Sequence, residues 1–268
     1  MDLSKLLKKV IEITKAASQF TKSDFIITEK ESHINFVTSA DIAVQRFLEE
    51  KLVALLPDSA FFGEEGNKSV KTAEYLWVVD PIDGTVNFSR GNDECAISVG
   101  LVHKEQVVLG VIYAPFKGEL YYASLGSGAF FNGKPIKASE RSFKNSLFCT
   151  ALCLYKKEYT EKCIDIMREV YSRCVDIRRS GSCALDMCYL AKGECELFFE
   201  FRVFPWDCAA GIIILNEAGG IITGLDGASI KLDRASPLIA ANNAENHKML
   251  LEIVKKHIKT MPYEEILR

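Results

Sequence analysis

Apolar residues recur every three to four positions along six stretches of this chain, a spacing that is typical of amphipathic helices. These stretches cover about residues 3–20, 40–56, 158–171, 182–191, 206–218 and 244–259. Shorter apolar runs with the length of strands fall between them, at residues 76–79, 96–102, 107–113, 120–123, 147–151, 197–201 and 237–240. The pattern therefore predicts a protein with both helices and strands.

The order of the predicted elements differs between the two ends of the chain. In the N-terminal part, consecutive strands are joined by short turns such as the one at Lys104 and Glu105, which favours an antiparallel sheet. From Phe148 onward, strands and helices alternate. We therefore expect an α/β or α+β sandwich, with mixed sheets between helix layers. The change of pattern near residues 137–148 predicts two halves, residues 1–143 and 144–268, that pack as one compact unit.

Length and composition place the chain among ordinary globular proteins. Its 268 residues are about 1.8 times the ~150 of a typical domain. Its 33 Lys and Arg nearly balance its 36 Asp and Glu, so the net charge is -3. A protein with this charge balance is not expected to carry the basic surface that binds nucleic acid or an anionic membrane. We expect neither as a partner.

Targeting and cysteine signals favour a cytoplasmic protein. No charge-free apolar stretch approaches the ~18 residues of a membrane span. The first 20 residues carry charges throughout, so they lack the apolar core of a secretion signal. The nine cysteines include no CxxC pair, and no two of the four histidines are spaced by four residues, which argues against disulfide frameworks and zinc sites.

Candidate chemistry lies in three acidic motifs, of which the first is FGEEG at residues 62–66. The adjacent carboxylates of Glu64 and Glu65 repel each other, so they are either solvated or hold a cation. Taken alone, this motif is typical of a solvated turn.

The second motif ends an apolar strand. Residues 77–85 read WVVDPIDGT, so Asp80 and Asp83 lie three positions apart. The intervening proline fixes one backbone torsion, and Gly84 permits a turn that other residues resist. If the chain turns here, both carboxylates and the carbonyl of Ile82 face one point, and such an all-oxygen pocket suits Mg²⁺ or Mn²⁺ rather than Zn²⁺. The amides of Gly84 and Thr85 would lie at a helix start, which favours a phosphate.

The third motif, WDCAAG at residues 206–211, opens the most apolar predicted helix. Asp207 in its first turn is either an N-terminal cap, which stabilises a helix by ~1 kcal/mol, or a third carboxylate for a metal. The small residues after it allow another backbone or a ligand to approach closely.

Taken together and in this order, the three motifs resemble those of the inositol monophosphatase family, a group of Mg²⁺-dependent, lithium-sensitive phosphatases. The resemblance extends over nearly the whole chain and includes VTSAD at residues 37–41, GSCA at 181–184, Glu200 and EAGG at 217–220. It implies a layered αβαβα sandwich of the sugar-phosphatase type and a homodimer.

The resemblance also implies the metal ligands. Glu64, Asp80 and the carbonyl of Ile82 would hold a first Mg²⁺ ion, for which Mn²⁺ could substitute. Asp80, Asp83 and Asp207 would hold a second ion, and Glu64 with waters would hold a weaker third.

Catalytic and substrate contacts are implied in the same way. Asp41 would hydrogen-bond Thr85, and this pair, with Glu64, would serve catalysis by orienting the attacking water. The implied substrate contacts are Asp83, Gly84, Thr85, Cys183, Glu200 and Asp207. For Glu200 alone, an exposed charge at a strand end is the alternative.

The implied reaction is hydrolysis of a small polyol or sugar phosphate, with inositol 1-phosphate as the first candidate, by direct attack of a metal-activated water. Sister groups with the same metal core act on fructose 1,6-bisphosphate, 3'(2'),5'-bisphosphate nucleotides or NADP, and these substrates stay open as alternatives.

The chain departs from the family pattern at several positions. Asn35 stands where Asp is usual, and Gly66 where Ser or Thr is common. Lys30 is placed like a family lysine near a mobile loop, although a lone lysine is usually solvated. Residues 152–160, which should line the far side of the substrate, match no assignable pattern.

Two further interpretations compete with this one. A haloacid-dehalogenase-type phosphatase carries D-x-D-G-T after an apolar strand, but here two residues separate Asp80 from Asp83, and Glu64 and Asp207 would have no role. A phosphosugar-binding regulator without turnover is the other, and the presence of both Asp41 and Thr85 favours an enzyme.

Overall fold

The structure, a computed structural model, describes residues 2–22, 24–32, 35–66, 73–153 and 156–259. Within this part of the chain the α-helices are α1 (Leu3–Ala17), α2 (Ser39–Leu55), α3 (Thr85–Ser89), α4 (Thr160–Tyr171), α5 (Cys183–Ala191), α6 (Pro205–Glu217) and α7 (Ala244–Ile258). The strands are β1 (Ile27–Ser32), β2 (Asn35–Thr38), β3 (Ala60–Gly63), β4 (Tyr75–Asp83), β5 (Ala96–His103), β6 (Gln106–Ala114), β7 (Glu119–Ser124), β8 (Ala129–Phe131), β9 (Lys134–Ile136), β10 (Leu147–Thr150), β11 (Asp176–Arg178), β12 (Leu197–Val203), β13 (Ile221–Thr223) and β14 (Ser236–Ala241). Short 3₁₀ turns cover Ser18–Lys22, Phe143–Asn145 and Lys157–Tyr159.

The larger sheet has seven strands in the order β3-β4-β5-β6-β7-β8-β9. β3 and β4 are parallel, and each later neighbour is antiparallel. The predicted turn between β5 and β6 is a two-residue hairpin turn, since Lys104 and Glu105 have positive φ angles of 49° and 68°. The antiparallel meander predicted for this part of the chain is therefore confirmed.

The smaller sheet has five strands in the order β11-β10-β12-β14-β13. β10 pairs in parallel with both β11 and β12, whereas β14 is antiparallel to β12 and β13. The alternation of strands and helices after Phe148 explains this mixed sheet, because parallel neighbours need a crossover connection. β1 and β2 form a separate hairpin.

Helices α1 and α2 cover one face of the larger sheet, and α5 and α6 cover the other. Trp77 and Val79 of β4 join the core cluster of α1 and α2, whereas Leu76 and Val78 join the cluster of α5 and α6. Because successive strand residues point to opposite faces, both faces of β4 are buried, and the strand is apolar from Leu76 to Val79.

Helix α6 lies unusually close to the larger sheet. A Cβ atom on Gly110 would lie 2.6 Å from the carbonyl oxygen of Ala210, and one on Gly100 would lie 2.9 Å from Ala209 Cβ. The small residues of the WDCAAG motif therefore admit the backbone of a neighbouring strand, and this contact fixes the position of the helix start.

Helices α4 and α7 cover the outer face of the smaller sheet, where Ile166 and Leu250 share a core cluster with Phe199. The layers are therefore α1 and α2, the larger sheet, α5 and α6, the smaller sheet, and α4 and α7. This order confirms the αβαβα sandwich.

The helix start expected at Thr85 is that of α3. Several short elements were not predicted, among them β3, the β1–β2 hairpin and strands of three residues such as β8 and β9. They are too short to produce a periodic pattern. The division of the chain at residue 143 stays a prediction. Among the described residues, no helix is both long and apolar enough to cross a lipid bilayer.

Candidate metal-binding active site

Carboxylates from two distant parts of the chain meet at the end of β4. One oxygen from each of Asp80, Asp83 and Asp207 lies within 4.8 Å of the other two. Asp80 and Asp83 are buried, and Asp207 is half-buried. No other such group of His, Cys, Asp and Glu ligands occurs within the described ranges. We call these three residues the acidic cluster.

A β-bulge brings the first two carboxylates of the acidic cluster together. Asp80 pairs with Ser98 of β5 and Asp83 pairs with Ala96, so β4 has one more residue than β5 over this interval. In a regular strand, residues three apart point to opposite faces. The extra residue removes this opposition. The N–H of Ile82 donates to Asp80 Oδ1 at 2.9 Å and fixes the bulge locally.

Asp83 is held by the start of α5. The hydroxyl of Ser182 and the N–H of Ala184, the latter at 2.8 Å, both donate to Asp83 Oδ2. Ser182 is also the N-cap of α5 and accepts from the N–H of Leu185 at 3.3 Å. A helix N-terminus carries a partial positive charge, so its approach stabilises the ionised carboxylate.

Asp207 lies in the first turn of α6, where the N–H of Phe204 donates to its Oδ2 at 2.8 Å. It is therefore a cap and also a member of the acidic cluster, so the two interpretations of this residue do not exclude each other. The close packing of α6 on the sheet places the capped turn beside β4.

Among the described residues, the main charges that act on the acidic cluster are negative. Burial raises the pKa of Asp80 well above its ordinary value, and the negative charges of Glu64, Asp83 and Asp207 add to this effect. Burial also raises the pKa of Asp207, and again Asp83 and Glu64 add to it. Burial raises the pKa of Asp83 to about 6 although hydrogen bonds from α5 act in the opposite direction. A divalent cation would remove this repulsion.

Glu64 follows β3 and lies outside the group of three, although its charge acts on Asp80. Lys30 Nζ in β1 is 3.3 Å from Glu64 Oε1 and 2.5 Å from Glu65 Oε1. Burial opposes the charge of Lys30, but the two carboxylates raise its pKa overall. Lys30 is therefore not simply solvated, and FGEEG is not a free turn.

The predicted hydrogen bond between Asp41 and Thr85 is absent from the structure. Thr85 Oγ1 donates instead to the carbonyl of Ile82 at 3.0 Å, because a threonine at a helix start readily finds an acceptor three residues back. Asp41 forms a capping box with Thr38 at the start of α2, in which its Oδ2 accepts from the N–H of Thr38 at 2.8 Å.

The other oxygen of Asp41 has no partner. Asp41 Oδ1 is buried and accepts no hydrogen bond from the described residues. Burial raises the pKa of Asp41 to about 7, although hydrogen bonds from Thr38 lower it. A buried acceptor without a donor is costly, so this oxygen is available to a ligand or to a reoriented hydroxyl.

Gly84 precedes α3 in a conformation that only glycine adopts easily, with φ of 87°. A Cβ atom there would lie 2.8 Å from the carbonyl oxygen of Glu94. The carbonyl of Ile82 accepts from Thr85 and keeps a second lone pair.

The two predicted contacts to the rest of the substrate lie on the C-terminal half. Cys183 is half-buried at the first position of α5, and burial, then the charges of Glu200 and Asp207, raises the pKa of its thiol. Glu200 is half-buried within β12, where burial, then the charge of Asp83, raises its pKa to about 8. Glu200 is therefore not an exposed charge at a strand end.

Two residues near the site carried no assigned role in the sequence. Ser182 belongs to the GSCA motif of the family resemblance but had no role of its own there, although a serine at the start of a predicted helix is a typical capping residue. Gln45, on α2, contacts the backbone of Glu65 and had no motif. The side chain of Asn35 and residues 154–155 of the unassigned segment lie outside the described part of the structure.

Comparison with known proteins gives relatives along the full described chain. The sequence profile of the inositol monophosphatase family matches residues 2–259. A fructose-1,6-bisphosphatase/inositol-1-monophosphatase of Aquifex aeolicus is 33% identical over 263 residues, which are 94% of this chain and 98% of that protein. A putative Nus factor SuhB of Neisseria meningitidis serogroup B is 34% identical over 237 residues, which are 88% of this chain and 90% of that protein.

Solved structures agree with the fold. The Thermotoga maritima IMPase superposes with a TM-score of 0.85 at 31% identity and covers 98% of this chain and 99% of its own. The inositol monophosphatase of Anabaena superposes with a TM-score of 0.80, also at 31% identity, over 96% of this chain and 97% of its own.

Proposed function

The chain belongs to the inositol monophosphatase family of phosphatases, and from this premise we propose that it hydrolyses a small polyol or sugar phosphate with the help of Mg²⁺. Inositol 1-phosphate is the first candidate substrate. The observation that carries this proposal is the convergence of Asp80, Asp83 and Asp207 in a cluster that no described cation neutralises.

The donor set fits a hard divalent ion. Three carboxylates at short range supply only oxygen, which Mg²⁺ and Mn²⁺ prefer. We propose that Asp80, Asp83 and Asp207 hold one ion, and that Glu64, Asp80 and the carbonyl of Ile82 hold another. A weaker third ion at Glu64 would displace Lys30 from it. When bound, such ions supply neutralisation of the phosphate oxygens and activation of a water.

The chain's own residues would bind and orient the ester. Gly84 and Thr85 follow Asp83 directly, so a phosphate at the acidic cluster is within reach of both. Asp41 Oδ1 is buried and has no donor among the described residues. It could therefore accept a hydrogen bond from the hydroxyl of Thr85 or from the attacking water. For this, Thr85 Oγ1 must rotate away from the carbonyl of Ile82 when substrate binds.

The surroundings of Glu200 and Cys183 favour a substrate whose leaving group is a polyol. Because the pKa of Glu200 is raised to about 8, its carboxyl carries a proton near neutral pH and can donate to a hydroxyl as well as accept from one. A substrate ring held against Cys183 would bring its hydroxyls to this carboxyl.

The names of similar proteins leave the substrate open. The A. aeolicus relative is named for both fructose 1,6-bisphosphate and inositol 1-phosphate, and the N. meningitidis relative is named as a Nus factor. Fructose 1,6-bisphosphate is therefore the second candidate. The remaining candidate substrates are bisphosphate nucleotides and NADP. A role in binding a phosphate ester without turnover is the last alternative.

Phosphate release tests these alternatives directly. The purified protein is incubated with inositol 1-phosphate, fructose 1,6-bisphosphate, adenosine bisphosphate and NADP, with Mg²⁺ or with EDTA. We expect Mg²⁺-dependent release that is fastest with inositol 1-phosphate. No release from any ester would favour a binding protein, and a covalent phosphate trapped on Asp80 would favour the haloacid-dehalogenase mechanism.

Three further expectations rest on the resemblance or on composition alone. A homodimer is tested by light scattering coupled to gel filtration, and inhibition by lithium is tested in the same phosphate assay. The cytoplasmic location stays a prediction, tested by cell fractionation.

A further inference from the structure

Gln45 lies one helical turn after Asp41 on α2, and its side chain reaches the segment that carries Glu64. The Nε2 group of Gln45 donates to the carbonyl oxygen of Glu65, and the N–H of Glu65 donates back to Gln45 Oε1 at 2.9 Å. One primary amide thus pairs with both backbone groups of a single residue. Only Asn and Gln offer a donor and an acceptor side by side in this way.

This pair continues a strand ladder that has ended. Gly63 is the last residue of β3 to pair with β4, and the N–H of Glu64 donates to the carbonyl of Val79 at 3.2 Å. Beyond this bond, Gln45 takes the place of a neighbouring strand for Glu65. The backbone of Glu64 is therefore fixed on both sides, with its N-terminal side bonded to the residue that immediately precedes Asp80.

The same contact requires a residue without a side chain at Gly63. A Cβ atom on Gly63 would lie 2.3 Å from Gln45 Oε1 and 2.6 Å from Gln45 Cδ. Gly63 has no positive φ angle, so its backbone conformation does not require glycine. The absence of a side chain at this position is explained by the room that the Gln45 amide occupies.

We propose that Gln45 is a positioning residue, which holds the Glu64 segment against Asp80 and thereby sets the affinity of the ion that these two carboxylates share. This inference rests on the proposed metal-dependent function. Gln45 is buried and does not itself touch the acidic cluster in any recorded hydrogen bond, so it acts through Glu64. Residues that orient metal ligands in this way commonly change metal affinity by about 10- to 100-fold when they are replaced.

The experiment measures Mn²⁺ binding to the metal-free full-length chain by titration calorimetry, without substrate. The variants are Gln45→Leu, which keeps the size and removes the amide, Glu64→Gln, and the two combined. Gln106→Leu is the matched control. It makes the same replacement at the exposed start of β6. On this strand, Ile112 is the residue level with the acidic cluster, because it pairs with Ser98, which pairs with Asp80. Gln106 lies six residues from Ile112, which is about 20 Å along the strand.

We expect Gln45→Leu to weaken Mn²⁺ binding about tenfold, and Gln106→Leu to leave it unchanged. In the Glu64→Gln background, Gln45→Leu should add less than about a twofold change, because residues that act through one another are not additive. Wild-type affinity in Gln45→Leu would overturn the proposal. So would a full tenfold loss that persists after Glu64 is replaced, because this would indicate a general structural effect.

A second variant covers the case in which Gln45→Leu does not fold. Gly63→Ala displaces the Gln45 amide without altering it, and we expect weaker Mn²⁺ binding, whereas an unchanged affinity would count against the proposal. Since binding is measured without an ester, a protein that binds Mn²⁺ but releases no phosphate contradicts the proposed function and leaves this inference standing.

Discussion

Glu196 and Asp83 are both buried carboxylates, but their surroundings differ. Glu196, 1% exposed, accepts hydrogen bonds from the hydroxyl of Ser139 at 2.9 Å, the guanidinium of Arg141 at 2.8 Å and the N–H of Leu147 at 2.7 Å. Asp83 accepts from Ser182 and Ala184, but carboxylate oxygens of Asp80 and Asp207 lie within 4.8 Å of one of its own, and the negative charge of Glu64 raises its pKa.

The difference separates a structural carboxylate from one that awaits a ligand. A buried charge is tolerated when the chain supplies an opposite charge and enough donors, as it does for Glu196. At the acidic cluster, the described residues instead bring further negative charge close to Asp83. This arrangement is stable only if protons or a cation from solution neutralise it. Changes that affect the acidic cluster but not Glu196, or the reverse, test this distinction.

The largest effect is expected for Asp83→Asn. The fold should stay intact, whereas Mg²⁺-dependent turnover should fall by about 10³-fold, or about 4 kcal/mol in the activation free energy. The metal-free variant should also unfold at a higher temperature than the wild type, because one repelling charge is gone. Steady-state phosphate release and thermal unfolding measure these changes. Asp233→Asn, at an exposed residue, is the control, and near-wild-type activity in Asp83→Asn would contradict the metal-centre model.

Divalent ions should stabilise the wild-type protein. A ligand at 100 times its dissociation constant raises the free energy of unfolding by about 2.7 kcal/mol. Mg²⁺ or Mn²⁺ at such a concentration should therefore raise the melting temperature of the wild type and much less that of Asp83→Asn. Calorimetry checks this, and equal shifts in the two proteins would mean that the ions bind elsewhere.

A smaller effect on stability, and none on chemistry, is expected for Glu196→Gln. The amide group would face donors where a carboxylate oxygen now accepts, and such a mismatch costs about 2 kcal/mol. Urea unfolding should detect this loss, while kcat with Mg²⁺ should stay at the wild-type value. A large fall in kcat would show that Glu196 is not purely structural.

Without a metal, the stability of the protein should also depend on pH. The pKa is raised to about 6 for Asp83 and to about 7 for Asp41, above the ordinary value near 4. Between about pH 4 and pH 7 the unfolded chain releases protons that the folded chain retains, so stability falls as pH rises, by about 1.4 kcal/mol per pH unit for each such proton. Urea unfolding in EDTA at pH 5, 6 and 7 measures the slope. Stability that rises over this range would contradict the raised pKa values.

Much of this architecture is predictable from the sequence because it depends on periodic burial. The apolar runs around Trp77 and Phe199 predicted central strands of both sheets, and all six long helices are present. Asp80 and Asp83 were identifiable because an apolar strand leads directly into them. Asp207 needed the family resemblance, since its contact with β4 spans more than 100 residues of chain.

The remaining parts of the site depend on distances that no local pattern encodes. The hydrogen bonds of Ser182 to Asp83 and of Gln45 to Glu65 form only after separate layers have packed. The predicted bond between Asp41 and Thr85 is not formed here, because Thr85 donates to the carbonyl of Ile82, an acceptor three residues back in the chain. A sequence names the side chains that could pair, but packing decides which pairs form.

The most direct test is a crystal structure of the wild-type protein grown with Mn²⁺, with diffraction recorded near the manganese absorption edge. We predict an anomalous peak between the carboxylates of Asp80, Asp83 and Asp207 that disappears in Asp83→Asn. Ordered side chains in this cluster with no manganese among them, in crystals that hold the ion elsewhere or not at all, would contradict the assignment of a metal-dependent phosphatase site.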